Sequence, residues 1–195
     1  AAVKLAAPTQ QHQKMLPIRR ADGTLSPHFL AVADHVADPQ GLIVRGNEWV
    51  LSARLADARF FYDDDAKTKL EDRLTKLGTL QFQEKLGNYR EKTDRIAAIA
   101  QAILDHPHVN TAAQLCKTDL VTEMVKEFTD LQGRVGGIYA REEGYDEQVW
   151  QAVYDHYQPV SLDDALPRNV AGAVVSLADR IDTLAGFFKL GAKPT

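Results

Sequence analysis

Two acidic residues stand three positions apart near the carboxyl end of the chain. Asp179 and Asp182 belong to the segment SLADRIDTL, whose apolar spacing predicts a helix. Residues three apart share one face of a helix, so the two carboxylates could bind a cation together or pair with basic side chains of neighbouring helices. The spacing leaves both roles open. The apolar side of this helix, which we expect to face the core, consists of Leu177, Ile181, Leu184 and Phe188.

The histidines do not follow a spacing typical of a metal site. Such a site needs three or four donors that converge on one ion, whereas the close pair His106 and His108 flanks Pro107 in a predicted loop. We therefore expect no bound metal ion. The six histidines are His12, His28, His35, His106, His108 and His156.

A nucleophilic site is equally weakly supported by the sequence. Cys116 is the single cysteine, which excludes an internal disulfide and fits a reducing cytosol. Its neighbour Lys117 could lower the pKa of the thiol, but adjacent helical residues point about 100° apart, so we expect a packed side chain. The chain contains neither GxxxxGK[ST] nor GxGxxG, the glycine-rich motifs that bind phosphates. No catalytic residue is predicted.

Two further acidic groups are expected to lie on solvated surfaces. The run FFYDDD, residues 60–65, ends in three consecutive aspartates, which cannot converge on one ion from a helix and instead suggest a solvated helix end. Asp119, Glu123 and Glu127 are spaced i, i+4, i+8, a row that could serve a cleft but is more typical of a solvated face.

Composition and periodicity indicate a mainly α protein. Of 195 residues, 45% are hydrophobic and 26% charged, which is typical of a globular chain, and the net charge of −4 requires that any nucleic-acid contact be a local basic patch. No apolar run approaches the roughly 20 residues needed to cross a bilayer. We therefore expect a cytoplasmic protein without membrane contact.

The predicted elements are a small β hairpin followed by six or seven helices. The hairpin has strands near 14–19 and 25–33 around the Asp22-Gly23 turn. We expect residues 1–45 to be a β-containing segment that belongs to or links from a preceding domain, and residues 46–195 to be an all-α domain. The predicted helices begin at Asn47 as N-cap and cover 47–65, 66–82 with Gly78 as its end, 89–107, 110–144, 146–159 and the terminal segment from 176.

Longer runs carry a resemblance to a known family. In this order, the segments at 8–34, 46–65, 86–100, 112–140, 155–159 and 166–195 resemble the β subunit of the bacterial heterotetrameric glycyl-tRNA synthetase; AAQLCKTDLVTEMVKEFTDLQGRVGGIYA and LPRNVAGAVVSLADRIDTLAGFFKLGAKPT are the most specific. The resemblance covers nearly the whole chain. It implies that the chain is a middle piece of a subunit several times longer, with further domains on both sides.

The resemblance also implies an HD-like helical bundle, the fold of metal-dependent phosphohydrolases. Asp179 would keep one metal-ligand position, Cys116 and Lys117 would stand where active members carry a His-Asp pair, and Arg95 would replace the first histidine. A site with two fixed cations repels Mg²⁺ or Mn²⁺ and could attract a phosphate instead. Asp179 would then hold Arg95 or Lys117 in position.

The function implied by the resemblance is recognition of tRNA(Gly), by holding its acceptor end. ATP-dependent glycylation would occur at the active site of the α subunit, which uses ATP and Mg²⁺, while this fragment is inactive alone and needs no cofactor. Its partners would be tRNA(Gly), the α subunit and other β-subunit domains. Two alternatives remain: a purely structural packing module and a residual metal-dependent phosphohydrolase. The RNA-binding candidates are Arg54, Lys92, Arg95, Lys117, Lys126, Arg134 and Arg141, with Arg19 and Arg20 of the hairpin as a second group.

Overall fold

The computed structural model describes residues 15–35 and 37–192. His12 and the segment 193–195, both considered above, lie outside these ranges. The chain forms two compact units, one up to Asp64 and one from Asp65 onward; the predicted domains 1–45 and 46–195 stay a prediction. Within the described ranges, no helix is long and apolar enough to cross a membrane.

The first unit contains the predicted hairpin. Strand β1 (Met15–Arg19) pairs antiparallel with β2 (Leu25–Ala31). Between them, the Asp22 carboxylate accepts a hydrogen bond from the Thr24 backbone N–H at 2.9 Å, and Gly23 adopts a φ of 80°, which glycine tolerates best. The Asp-Gly turn signal therefore predicted this hairpin correctly.

Helix α1 (Leu42–Asp65) forms most of the remainder of the first unit. Its start is earlier than predicted, because the Asp38 carboxylate accepts from the backbone N–H groups of Leu42 and Ile43 at 2.8 and 3.0 Å. Asn47 is not the N-cap but lies inside the helix, where its side chain donates to the Ile43 carbonyl at 2.9 Å.

The second unit is a bundle of helices with one very short hairpin, β3 (Gln81–Gln83) and β4 (Gly87–Asn88). The mainly α class with an N-terminal hairpin is thus confirmed. The remaining α-helices among the described residues are α2 (Tyr89–Ile103), α3 (Pro107–Leu115), α4 (Glu123–Glu127), α5 (Arg134–Glu142), α6 (Glu147–Asp155) and α7 (Val170–Lys189).

Two predicted helices are wrong. Instead of a helix over 66–82, two 3₁₀ turns occur, Glu71–Arg73 and Thr75–Thr79. The long helix over 110–144 is divided into α3, α4 and α5, with 3₁₀ turns at Thr118–Val121 and Thr129–Leu131.

Caps explain why the stretch from 110 to 144 breaks. The Thr122 hydroxyl accepts from the Val125 backbone N–H at 3.2 Å and starts α4. Gly133 starts α5 with a φ of 77°. The Gly136-Gly137 pair does not kink the chain but lies within α5, where a Cβ on Gly137 would come within 2.8 Å of the Trp150 carbonyl on α6. These two helices can approach each other because that Cβ is absent.

Helix α7 buries the opposite face from the one predicted. Its apolar positions Leu177, Ile181, Leu184 and Phe188 are exposed, with fractional exposures between 39% and 58%. The face turned to the core carries small residues and an acid: Ala171, Gly172, Val174, Val175, Ala178 and Asp182. Helices α2, α3 and α6 pack on α7.

The last aspartate of the DDD run is buried rather than solvated. The Asp65 carboxylate accepts from the backbone N–H groups of Glu123 and Met124 at 3.0 and 2.9 Å. Arg73, itself buried, lies 3.4 Å from Asp65 Oδ1 and donates to the Asp65 carbonyl at 2.5 Å. Asp65 therefore caps α4 and neutralises a buried guanidinium.

We expect Asp65→Ala to destabilise the second unit by about 3–5 kcal/mol, because the Arg73 charge would stay buried without its partner. Asp63→Ala is the matched control: Asp63 makes an exposed 3.6 Å ion pair with Arg59, which contributes roughly 0–1 kcal/mol. Urea unfolding measures both changes. Equal effects of the two substitutions would contradict the role of Asp65.

Candidate functional site

A buried cluster of cations and carboxylates lies where α2 and α7 meet the turn after α3. We call Lys92, Lys117, His156, Asp179 and Asp182 the Lys117 cluster; Arg95 joins it from the surface. On α2, Lys92 and Arg95 are three residues apart and face Asp179 and Asp182, which are three apart on α7. The other two members follow α3 and α6 directly.

Helix α2 presents its two cations because its start is firmly fixed. The Asn88 side chain accepts from the Glu91 backbone N–H at 3.0 Å, and the Glu91 carboxylate accepts from the Asn88 backbone N–H at 2.8 Å. This reciprocal capping box sets the first turn of the helix. Lys92 and Arg95 lie in that turn and the next.

Lys117 is only 1% exposed, although it is a lysine. Its Nζ lies 2.6 Å from Asp179 Oδ2 and 3.0 Å from His156 Nε2. The same ammonium lies over the ring of Tyr157, 3.8 Å from the ring centroid. One carboxylate, one imidazole and one aromatic face thus compensate this buried charge.

His156 acts as a neutral acceptor. Its Nδ1 lies 2.7 Å from the Val153 carbonyl, and a carbonyl only accepts, so we assign the ring proton to Nδ1. Nε2 is then free to accept from Lys117. Burial, and secondly the Lys117 charge, lower the pKa of His156 to about 3, which keeps the ring neutral at physiological pH.

Asp179 lies between two ammonium groups. Lys92 Nζ is 2.8 Å from Asp179 Oδ1, a close ion pair in which that oxygen has no hydrogen bond of good angle among the described residues. Burial alone would raise the pKa of Asp179, but the charges of Lys117 and Lys92 together outweigh it and hold that pKa below its usual range.

Asp182 connects the buried cluster to the surface. It accepts from Lys92 Nζ at 3.0 Å and from Arg95 Nε at 2.5 Å. Arg95 also donates to the Leu86 carbonyl at 3.1 Å, and its side chain is 38% exposed. Of the three cations, Arg95 is therefore the one that solvent can reach.

The residues present do not fit a divalent metal ion. In the described ranges, no three His, Cys, Asp or Glu side chains are grouped to hold one. The acceptor atoms of Asp179 and His156 both point at the Lys117 ammonium, which repels a cation. Cys116 is buried and donates to the Ala113 carbonyl at 3.2 Å, and burial raises the pKa of its thiol to about 12, so it is not an activated nucleophile.

Asp119 is a second buried acid and does not form a row with Glu123 and Glu127, which are exposed on α4. Its Oδ2 accepts from the backbone N–H groups of Gly133 and Gly136 at 2.6 and 3.0 Å, while Oδ1 has no hydrogen-bond partner among the described residues. Burial raises the pKa of Asp119 to about 6.

The nine candidate RNA-binding residues occupy very different surroundings. Lys92 and Lys117 are buried and neutralised, which argues against direct contact with a phosphate backbone. Lys126 pairs with Glu123 on its own helix at 2.7 Å. Arg141 is exposed and lies 5.7 Å from the Trp150 ring centroid, and Arg134 is exposed at the start of α5. The three in the first unit are Arg19, Arg20 and Arg54.

A groove between α2 and α7 carries basic residues that the sequence analysis missed. It has a volume of about 520 Å³. Lys85, Arg95 and Lys189 line it together with Leu86 and Ile99. We call it the α2–α7 groove. Lys85 and Lys189 are separated by a hundred residues, so no spacing rule linked them.

A second cavity, of about 420 Å³, lies beside the Lys117 cluster. His156, Tyr157, Asp179, Arg180, Thr183 and Leu184 line it. The run DHYQP contains two of these residues, but nothing in their spacing related them to Lys117. His156 is accordingly a site residue that the sequence did not identify.

We expect the Asp119→Asn variant to lose stability between pH 6 and pH 4 more steeply than the unsubstituted chain. Below pH 6.5 the unfolded chain protonates His156 while the folded chain does not, so stability falls as the pH falls. Between pH 6 and pH 3.8 the folded chain protonates Asp119 while the unfolded chain does not, so stability rises as the pH falls. The substitution removes the second, opposing contribution.

Urea unfolding at several pH values measures this difference. One additional proton bound by the unfolded state corresponds to about 1.4 kcal/mol per pH unit. The asparagine oxygen can still accept from Gly133 and Gly136, so the variant is expected to fold. Parallel pH profiles for the two chains would contradict these protonation states.

Comparison with known proteins places the chain in a family. The family model described as "Glycyl-tRNA synthetase beta subunit" matches residues 4–195. Proteins named glycine–tRNA ligase beta subunit are 47% identical in Phenylobacterium zucineum, over 94% of this chain and 29% of that protein, and 45% identical in Rickettsia felis, over 98% and 29%. The one from Synechocystis sp. is 44% identical over 94% of this chain and 27% of its own length.

The chain therefore spans less than a third of the length of these relatives. The match confirms the resemblance inferred from the sequence, and it links the chain to an aminoacyl-tRNA synthetase. The chain belongs to the glycyl-tRNA synthetase beta subunit family.

Proposed function

We propose that this chain contributes tRNA(Gly) recognition to a glycine–tRNA ligase, by contacting the RNA backbone towards the acceptor end. Glycylation itself takes place at the active site of the α subunit, which uses ATP and Mg²⁺, in the cytoplasm. The chain acts as a part of that enzyme and is inactive by itself. The observation that carries the proposal is the basic rim of the α2–α7 groove.

The rim brings together cations from three parts of the chain. Lys85 comes from the turn between β3 and β4, Arg95 from α2, and Lys189 from the end of α7. Lys85 and Lys189 are exposed, so their ammonium groups can reach a phosphate without breaking the fold. Clustered Lys and Arg side chains attract a nucleic-acid backbone even where a protein is acidic overall.

Arg95 gives the rim a fixed donor. Its Nε and Nη1 are occupied by Asp182 and the Leu86 carbonyl, which hold the guanidinium plane in one orientation. A guanidinium held in this way loses less side-chain entropy when it binds a phosphate than a freely rotating one would. The buried Lys117 cluster therefore supports the groove through Arg95 rather than binding RNA.

We expect Lys85→Ala and Lys189→Ala each to weaken binding of a tRNA(Gly) transcript and to reduce the slope of log affinity against log salt by about one. The physical reason is the loss of one phosphate contact and its released counterions. Fluorescence anisotropy titrations at several KCl concentrations measure both quantities.

Lys126→Ala is the matched control, because Lys126 is an exposed lysine whose charge is already paired with Glu123. We expect it to leave affinity and salt slope nearly unchanged. Wild-type salt slopes in both Lys85→Ala and Lys189→Ala would rule out the α2–α7 groove as the contact surface.

A second role, as a packing module, is favoured by the outer face of α7. We define the outer stripe as Leu177, Ile181, Leu184 and Phe188, each at least 39% exposed. The spacing i, i+4, i+7, i+11 is that of a helix packed along its length against another element. Because relatives are more than three times as long as this chain, we propose that another part of the β subunit covers the outer stripe.

We expect the double substitution Leu184→Glu with Phe188→Glu to change the stability of this chain by less than about 0.5 kcal/mol, as for other exposed positions. In a full-length β subunit the same pair should cost about 2 kcal/mol or more, because two charges would be buried in an apolar contact. Urea unfolding of both proteins makes the comparison.

The outcome identifies the occupant. Normal β-subunit stability with weakened α–β association would assign the outer stripe to the α subunit and reject our choice. No effect in either measurement would show that the stripe remains solvated and would remove the packing role.

A further inference from the structure

We propose that the ammonium of Lys117 is a resident cation, occupying a built cation site that would accept an external cation if the ammonium were removed. The site is formed by Asp179 Oδ2, His156 Nε2 and the face of Tyr157. This inference concerns the interior of the second unit and does not depend on RNA binding.

The three groups converge on one point. Lys117 Nζ lies 2.6 Å from the carboxylate oxygen, 3.0 Å from the imidazole nitrogen and 3.8 Å from the ring centroid. A carboxylate, a neutral imidazole and an aromatic face all favour a positive charge. They come from α7 and from the two residues that follow α6, whereas the ammonium comes from the turn after α3.

The surroundings demand a cation at this point. The His156 ring proton is committed to the Val153 carbonyl, so Nε2 can only accept, and the carboxylate of Asp179 keeps its charge. Without the ammonium, a buried acceptor nitrogen would be unpaired and Asp179 would keep only Lys92 as its cation. Both losses are unfavourable in a site that excludes water.

The ammonium explains why the donors cannot hold a metal ion in the natural chain. Asp179 and His156 supply two donors, which is fewer than a stable metal site requires, and the position between them is filled by a fixed charge. The cation is thus part of the polypeptide, and its occupancy does not vary with the ions in solution.

An external cation would have a route to the site. The cavity of about 420 Å³ is lined by His156, Tyr157 and Asp179, the same residues that contact the ammonium. Shortening Lys117 to alanine would join the space of its side chain to this cavity. The n-propylammonium ion restores the three missing methylene groups and the charge.

We test the proposal with Lys117→Ala, with n-propylammonium chloride as the probe and n-propanol as its uncharged counterpart. We expect the variant to unfold at lower urea concentration than the natural chain. Saturating n-propylammonium should then lower its unfolding equilibrium constant at least tenfold, as expected for a ligand that binds only the folded state. The natural chain, and Lys85→Ala with its exposed lysine removed, should not respond beyond the effect of matched NaCl.

A second variant keeps the test decisive if Lys117→Ala does not fold even with the probe. Lys117→Glu adds a carboxylate to Asp179 and His156, which makes three donors of the types that bind transition metals. We expect this variant to bind one Co²⁺, seen by its visible absorption, whereas the natural chain binds none at this site.

The alternatives are separated by these measurements. Rescue of Lys117→Ala by n-propanol as effective as by n-propylammonium would show that the side chain only fills space, and would overturn the proposal. Failure of Lys117→Ala to respond while it folds, or failure of both variants to respond, would overturn it as well. A change in tRNA affinity is not used as a readout, so the proposed RNA contact can fail independently.

Discussion

The carboxylate of Asp179, held between the ammonium groups of Lys92 and Lys117, is the interaction on which the second unit depends. A buried charge is strongly unfavourable unless charges of opposite sign and hydrogen bonds compensate it. Here the compensating cations come from α2 and from the turn after α3, while His156 after α6 accepts from one of them. A single oxygen pair on α7 therefore fixes three neighbouring elements, and removal of any partner leaves a buried charge exposed to none of the others.

This arrangement separates cations that stabilise the fold from cations that are free to bind. Lys92 and Lys117 point inward and are neutralised, so they fix geometry and contribute little to the surface potential. Arg95 belongs to both groups, because Asp182 orients it while its side chain stays partly exposed. The basic character of the α2–α7 groove is therefore local, which reconciles an RNA contact with a chain of net charge −4.

Local signals in the sequence predicted the local structure well. The Asp-Gly turn specified the hairpin, and Asp179 was identified as a site residue from its helix and from the family resemblance. The buried face of α7 was predicted wrongly, because periodicity places acidic residues on the solvent side. Asp179 and Asp182 are instead neutralised by Lys92, Arg95 and Lys117, residues more than sixty positions away. Likewise Asp65 was expected in solvent, since its partners Arg73 and the start of α4 are brought to it by tertiary structure.

The inversion of α7 follows from how closely its neighbours approach. Its inner face is built from small residues, and a Cβ on Gly172 would lie 3.3 Å from the Ala152 Cα on α6. Backbones this close leave no room for leucine or phenylalanine, but they leave the Lys117 cluster at the depth where its charges are desolvated. The large apolar residues must then occupy the other side of the helix. The polar core and the exposed outer stripe are thus two consequences of one packing choice, and a protein that uses the first needs some surface to cover the second.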